Sequence, residues 1–299
     1  MVLRIPWSDH ELVSGKLHRR TSASSSTSKM KNRELQDLIH ANHILHYHNV
    51  VDAFGHISLR HPDKPDVYVM SASKAPALVS TASDLIQYNV SDSSPVDPSA
   101  KKGYQERFIH SEIYKRFPDV NCVIHSHAQA VIPYTMNGVE LRPIYHMAGF
   151  LGDQVPVFDI TELYRPGERQ DFLVNSERFG YGLAEKFSKP GSTSQDCNVV
   201  LMANHGFTTL GSSIRQAVYR AVYTHINAGL QSNAIMLRNA AGSSSIQGPL
   251  RFLNAEQASG SEKTNDAASE RPWQLWIEEV ESCPLYQNEA LKTDASEDV

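Results

Sequence analysis

Two short apolar runs that each end in histidine constrain this chain more than any other feature. Cys122-Val123-Ile124 leads straight into His125-Ser126-His127, and Asn198 to Met202 leads into Asn204-His205-Gly206. Runs of this length and composition predict buried strands. In an extended segment alternate side chains share a face, so the imidazoles of His125 and His127 point the same way. Gly206 permits a close backbone approach beside His205. Two such strand ends in one sheet bring three imidazoles together. A three-histidine shell with an open position suits zinc and also admits iron, manganese or cobalt. A lone His-x-His pair would more often face solvent; the second strand end is what turns the balance.

The rest of the chain supplies a frame for these ends. Leu35, Leu38, Ile39, Ile44 and Leu45 predict an opening helix from Lys31 to Tyr47, and Gly55 a turn feeding a strand. Asp66 to Met70 and Leu85 to Val90 read as strands, Gln105 to Phe117 as a helix, Ala128 to Met136 as a second helix, and Val155 to Phe158 as a short strand. Glu177 to Phe187 reads as a helix and Phe207 to Leu210 as a hairpin strand. Ile214, Val218, Ala221, Val222, Ile226, Leu230 and Ile235 trace one face of a long helix from Ser213 to Arg238. The Ser/Thr run from Thr21 to Ser28 predicts a flexible arm over residues 1–30, and the polar stretch Ala258 to Arg271 reads as disordered. Trp273, Leu275, Trp276 and Val280 predict a short amphipathic helix that docks on the body or on a neighbouring subunit. The expected division is therefore an arm (1–30), one domain (31–256) and a polar linker with a C-terminal helix (257–299).

Composition narrows the partners. A formal charge of −5 leaves no broad positive field for nucleic acid or an anionic membrane, so a small molecule is the expected partner. The three cysteines are widely spaced and odd in number, which fits a reducing compartment rather than a disulfide framework. No run of about 18 apolar residues is present, so no spanning helix is expected, and the location expected is the cytoplasm.

Glu106 stands at the start of the helix that precedes the His-x-His strand, where it is either an ordinary first-turn glutamate or a carboxylate returned toward the metal to move a proton. The order Gly55-His56-Ile57-Ser58, Ser71 to Lys74, Glu106 with His110, His125-Ser126-His127 and Asn204-His205-Gly206 resembles the class II aldolase/adducin family across Lys31 to Leu237. That resemblance implies an α/β fold, a three-layer α/β/α sandwich around a mostly antiparallel central sheet. It also implies a homotetramer, zinc ligation by His125, His127 and His205, and Glu106 as catalytic acid/base and further ligand.

The chain departs from the sugar-phosphate members where they cradle phosphate. His56 stands at an asparagine position, Ser73-Lys74 at a Ser-Gly position, and Tyr104-Gln105 where a Ser-Ser pair is usual. These changes, with the segment Tyr145 to Gly152, are similar to a subgroup containing dihydroxyphthalate-type decarboxylases. The expected substrate is a small unphosphorylated carboxylate, aromatic hydroxy or keto in type, contacted by His56, Ser58, Ser73 and Lys74. Tyr104 and His146 are the expected further proton donors. The expected reaction is a metal-dependent carbon–carbon cleavage, a decarboxylation, with retro-aldol cleavage, a mononuclear iron oxygenase and a non-catalytic scaffold as alternatives. His40, His43, His46 and His48 match no motif and read as packing or surface groups.

Overall fold

The computed structural model describes residues 32–241 and 248–291. The arm expected over residues 1–30 lies outside them. The chain runs through α1 (Asn32–Tyr47), β1 (His56–His61), β2 (Lys64–Ser71), β3 (Leu85–Asn89), α2 (Arg107–Arg116), β4 (Cys122–Ser126), β5 (Val157–Phe158), α3 (Glu177–Glu185), β6 (Val199–Met202), β7 (Gly206–Gly211), α4 (Ile214–Ala240), α5 (Ala255–Ala267) and α6 (Glu270–Glu281). The strands form one seven-stranded sheet in the order β3-β2-β1-β4-β7-β6-β5. Every pairing is antiparallel except β5 with β6.

Alternation along each strand divides the core in two. Ile57, Leu59, Cys122, Ile124, Val199 and Leu201 face a layer built from α1, α4 and α6. Met70, Val123, Val200 and Met202 face the layer of α2 and α3, against Ile109, Ile113 and Leu183. The sheet is covered on both faces, which explains why its strands read as continuous apolar runs rather than alternating ones. The expected three-layer sandwich is the fold observed.

Two expectations fail. The stretch from Ala128 to Met136 is not an α-helix but a turn followed by a 3-10 turn, Ile132–Thr135. Pro133 supplies no amide hydrogen and stands too far along that stretch to serve as a helix-starting residue. The stretch Ala258 to Arg271 is helical rather than disordered. Its first helix has almost no apolar stripe, but Asn254 and Gln257 cap it reciprocally. Glu262 and Asp266 reach Arg220, a guanidinium buried on α4. Tertiary ion pairing thus orders a segment whose composition alone would not.

The C-terminal helix docks on its own chain. Trp273 and Trp276 are buried in the α1/α4 layer, with the Arg215 guanidinium over the Trp273 ring, whereas Leu275 is exposed. Trp273→Ala is expected to lower unfolding stability by about 3–5 kcal/mol, while Leu275→Ala changes it by less than about 0.5 kcal/mol. Urea unfolding of the two variants checks this; equal losses would show that α6 does not hold the body together. His40 and His43 are buried on α1 and act in packing: the His43 Nε2–H donates to the Val79 carbonyl at 2.7 Å.

Candidate metal centre

Strand register builds the centre. On the α2 face of β4, His125 pairs across to His56 of β1 and to Thr208 of β7. His127 follows one residue beyond the strand. Asn204, in the left-handed region at φ 54°, turns the chain between β6 and β7 and delivers His205. Gly206 makes the approach possible: a Cβ there would stand 2.0 Å from the Ser126 carbonyl oxygen. Glu106 lies at the N-terminus of α2, whose return toward β4 carries its carboxyl to the same place.

These four side chains converge. One ligand atom from each of Glu106, His125, His127 and His205 lies within 4.8 Å of all the others. His127 Nε2 is 2.9 Å from His125 Nε2 and 3.0 Å from His205 Nε2. The Glu106 oxygens stand 3.6 Å from His125 and 3.7 Å from His205. A cleft of about 320 Å³, lined by Asp52, Gln129 and His225, borders His127 on its outer side.

Proton accounting shows what the cluster lacks. His125 Nδ1 faces the Phe207 carbonyl at 3.2 Å; a carbonyl only accepts, so Nδ1 carries the proton and Nε2 presents a bare lone pair. The Phe172 carbonyl near the His205 ring opposes part of the lowering that burial imposes there. Burial first, then the neighbouring imidazoles, hold His125 well below the usual histidine range; burial brings His205 to about 4 and also lowers His127. Three imidazoles held neutral thus crowd together, and His125 for one meets His127 with a bare lone pair. A divalent cation satisfies all three lone pairs at once, and the residues present fit one.

The carboxyl is perturbed as well. Burial raises Glu106 to about 7, against the Val174 amide that donates to it at 3.0 Å and with a smaller push from Asp171. Phe172 and Val174 therefore support two of the four side chains from one short segment. Phe172 holds φ 62°, rare for a residue with a side chain. No sequence pattern pointed to this segment, because backbone groups supply both contacts.

The expected substrate-contact residues separate. His56 is buried, 4.7 Å from the Tyr104 ring and 5.1 Å from the His125 ring between centroids. Ser58 is sealed from solvent and its hydroxyl is engaged by His110 and Tyr114 at 2.7 Å each, so it reaches a ligand only through them. Ser73 is exposed. Lys74 is not a free cation: its ammonium donates to Asp84 at 2.7 Å, and the Tyr104 hydroxyl donates to the Lys74 carbonyl at 2.5 Å. Tyr104 and Lys74 thus tie the approach to α2 to the turn after β2. His146 is exposed on the 3-10 turn His146–Leu151 and is not among the converging side chains. His110 and Tyr114 carry a signal that the sequence offered but that had no assigned role: four residues apart, they share a face of α2 opposite His56 and Ser58.

Asp84 gives a measurable consequence. Burial alone would raise its carboxyl, but hydrogen bonds from Lys74 and from the Ser80 and Thr81 amides, with the Lys74 charge, bring it down to about 2 from its ordinary 3.8. A depressed carboxyl contributes stability above pH 3.8 that is lost as pH falls through 2. Asp84→Asn is expected to cost about 1–2 kcal/mol at pH 7, the gap to the parent closing toward pH 2. Unfolding titrations across that range check it; a gap that does not change with pH would rule out the linkage.

The chain belongs to the class II aldolase and adducin N-terminal domain family, whose profile matches residues 36–231. It is 46% identical over 250 residues to the decarboxylase tropJ of Talaromyces stipitatus, covering 82% of this chain and 93% of that protein. It is 27% identical over 180 residues to the 3,4-dihydroxyphthalate decarboxylase of Arthrobacter keyseri, covering 59% of this chain and 68% of that protein. An aldolase II superfamily protein from Pseudomonas syringae shares the fold, with a TM-score of 0.64 at 22% identity over 87% of this chain and 97% of that one. The resemblance drawn from the motifs is thereby the family itself. Among the described residues no helix is long and apolar enough to cross a membrane.

Proposed function

We propose that this chain is a divalent-metal-dependent carbon–carbon lyase, a decarboxylase of a small unphosphorylated hydroxyaromatic acid, acting in the cytoplasm. The observation that carries the proposal is the convergence of Glu106, His125, His127 and His205 within 4.8 Å, with His125 held in the ligating tautomer by the Phe207 carbonyl. The likeness to two proteins named decarboxylases supports the reaction type. Zinc suits three imidazoles and a carboxylate, and iron, manganese or cobalt fit the same donors.

In this reading His125, His127 and His205 hold the ion and Glu106 faces it. Bound there, a divalent ion supplies a fixed positive charge that stabilises negative charge developing on an adjacent substrate oxygen. Loss of carbon dioxide leaves an electron pair on the substrate carbon, and that carbon must take up a proton. Glu106 is the group placed to deliver it: its carboxyl faces the point where the three imidazoles converge, and the Val174 amide fixes its orientation. Lys74 and Tyr104, bonded to other groups, shape the wall rather than donate protons. Retro-aldol cleavage would use the same residues with a different leaving fragment. The family's fourfold assembly belongs to this proposal; exposed Ile226, Leu230 and Leu237 along one face of α4 offer apolar surface to bury.

Elemental analysis of the purified protein, together with carbon dioxide release from a panel of hydroxyaromatic and β-keto acids, tests it. Stoichiometric metal and release from a hydroxyaromatic acid are expected. Aldehyde release from a hydroxyacid, with no carbon dioxide from any panel member, would replace decarboxylation by aldol cleavage. Oxygen consumption that requires Fe(II) would replace it by oxygenation.

A further inference from the structure

An imidazole that gives Nε2 to an ion keeps its one proton on Nδ1, and that proton needs an acceptor. His125 has one in the Phe207 carbonyl at 3.2 Å, and the Phe172 carbonyl stands by the His205 ring. His127 is the exception. Its Nε2 faces the other two histidines at 2.9 and 3.0 Å, and among the described residues no group hydrogen-bonds to its Nδ1. The two nitrogens of the ring point in well-separated directions, so Nδ1 is turned out of the cluster.

On that outer side lies the cleft of about 320 Å³ that His127 shares with Asp52, Gln129 and His225. Asp52 is the one carboxylate among the described residues that line it. Its charge reaches the ring: burial lowers the His127 imidazole, and Asp52 opposes that lowering. The loop that carries Asp52 is tied to the run that carries His127. The buried Ser126 hydroxyl donates to the Val50 carbonyl at 2.5 Å and accepts from the Ala128 amide at 3.0 Å. One Asp52 oxygen accepts from the Phe54 amide at 2.8 Å, and the other has no partner among the described residues. A water seated between Asp52 and His127 therefore has the room and the polar neighbours that an ordered water needs, with His225, whose buried Nδ1 makes no hydrogen bond, lining the same cleft.

We propose that Asp52 is a positioning residue: through one bridging water its carboxylate takes the His127 Nδ1–H and so fixes the tautomer and the angle in which His127 offers Nε2 to the ion. The inference rests on the metal-lyase reading and adds to it the group that orients the third imidazole. His125 and His205 lie against backbone carbonyls, which no substitution removes. His127 answers to a side chain, so Asp52 is the place where a ligand can be loosened without being taken away.

The test uses the full chain and zinc alone, with affinity read by competition against a chromophoric chelator. Asp52→Asn keeps the shape of the side chain and an oxygen for the Phe54 amide, so the turn before β1 is expected to stay in place. What it removes is the charge and the stronger acceptor. Loss of such a partner costs about 10- to 100-fold in metal affinity, and the lower end is expected here because a water intervenes. Gln129→Ala alters the same cleft without touching a charge and is expected to leave zinc affinity at the parent value. In 15N-histidine spectra of the zinc-loaded protein, the His127 Nδ1 resonance is expected to move in Asp52→Asn, while that of His125, held by a carbonyl, stays where it is. Equal zinc affinity in Asp52→Asn and the parent, or a loss that Gln129→Ala reproduces, would overturn the proposal. A weaker affinity with the His127 resonance unmoved would overturn it too, since Asp52 would then act as a distant charge and not as a partner of that ring. Failure of the parent itself to bind zinc is a separate result, visible without any variant, and would sink the metal reading together with this inference.

Discussion

His125→Ala is expected to strip the protein of its metal and to abolish turnover together. His125 is fully buried, its Nδ1–H is committed to the Phe207 carbonyl and its Nε2 meets His127 at 2.9 Å, so truncating it takes away one of the converging donors. Losing a mere supporting hydrogen bond already costs metal affinity about 10- to 100-fold, and losing a ligand costs more than that. The parent is expected to hold about one ion per chain and the variant close to none, with a rate lowered by more than about 1000-fold. Elemental analysis and a turnover assay on matched samples read the two effects. The alanine leaves a cavity in β4, so its far-ultraviolet circular dichroism must match the parent for the result to count. His205→Gln, at a position open to solvent on one side, provides the milder companion and is expected to lose metal without loss of fold. Full activity in either variant after exhaustive chelation would end the proposal that these imidazoles hold a working ion.

The histidines were legible because strands translate sequence spacing into geometry with little ambiguity. Residues 125 and 127 share a face by the period of an extended chain. The glycine at 206 announces that another backbone passes close, and Ser126 does pass there. Glu106 was legible only through its position before a helix and its company in the family pattern, since nothing local distinguishes it from any first-turn glutamate. What escaped is of two kinds. Backbone contacts such as the Phe172 carbonyl and the Val174 amide leave no trace in side-chain chemistry. Compensation by distant partners also escapes: Lys74 looked like a free cation because Asp84 lies ten positions away in another turn, and the polar stretch after Asn254 looked disordered because its partner, Arg220, is buried in a helix that ends before it. In both cases a charge was read without its counter-charge. His110 lies between these extremes, since its spacing to Tyr114 marks a helix face, but only the fold shows that face to be turned toward Ser58.

Glu106→Gln separates holding an ion from moving a proton. The amide keeps the shape of the carboxyl and can still accept from the Val174 amide, so the segment around Phe172 and the packing of α2 are expected to stay in place. The three imidazoles remain, and metal content is expected to stay close to that of the parent. What the amide cannot do is carry a transferable proton, and general acid–base assistance of this kind contributes about 100- to 10,000-fold to a rate. The expected result is therefore a drop of that size in kcat with a much smaller change in KM, measured on the best acid from the panel. The same substitution removes a buried group whose carboxyl is raised from its ordinary 4.5 to about 7 in the metal-free chain, so metal-free Glu106→Gln is expected to lose less stability than the metal-free parent as pH rises from 4.5 to 7, where the unfolded chain has released the proton that the folded chain still holds. If kcat is unaffected while metal is retained, the proton comes from elsewhere, and solvent reaching the cleft beside His127 becomes the donor to examine. If metal is lost along with activity, Glu106 is first of all a ligand, and its part in proton delivery has to be argued again from a variant that keeps the ion.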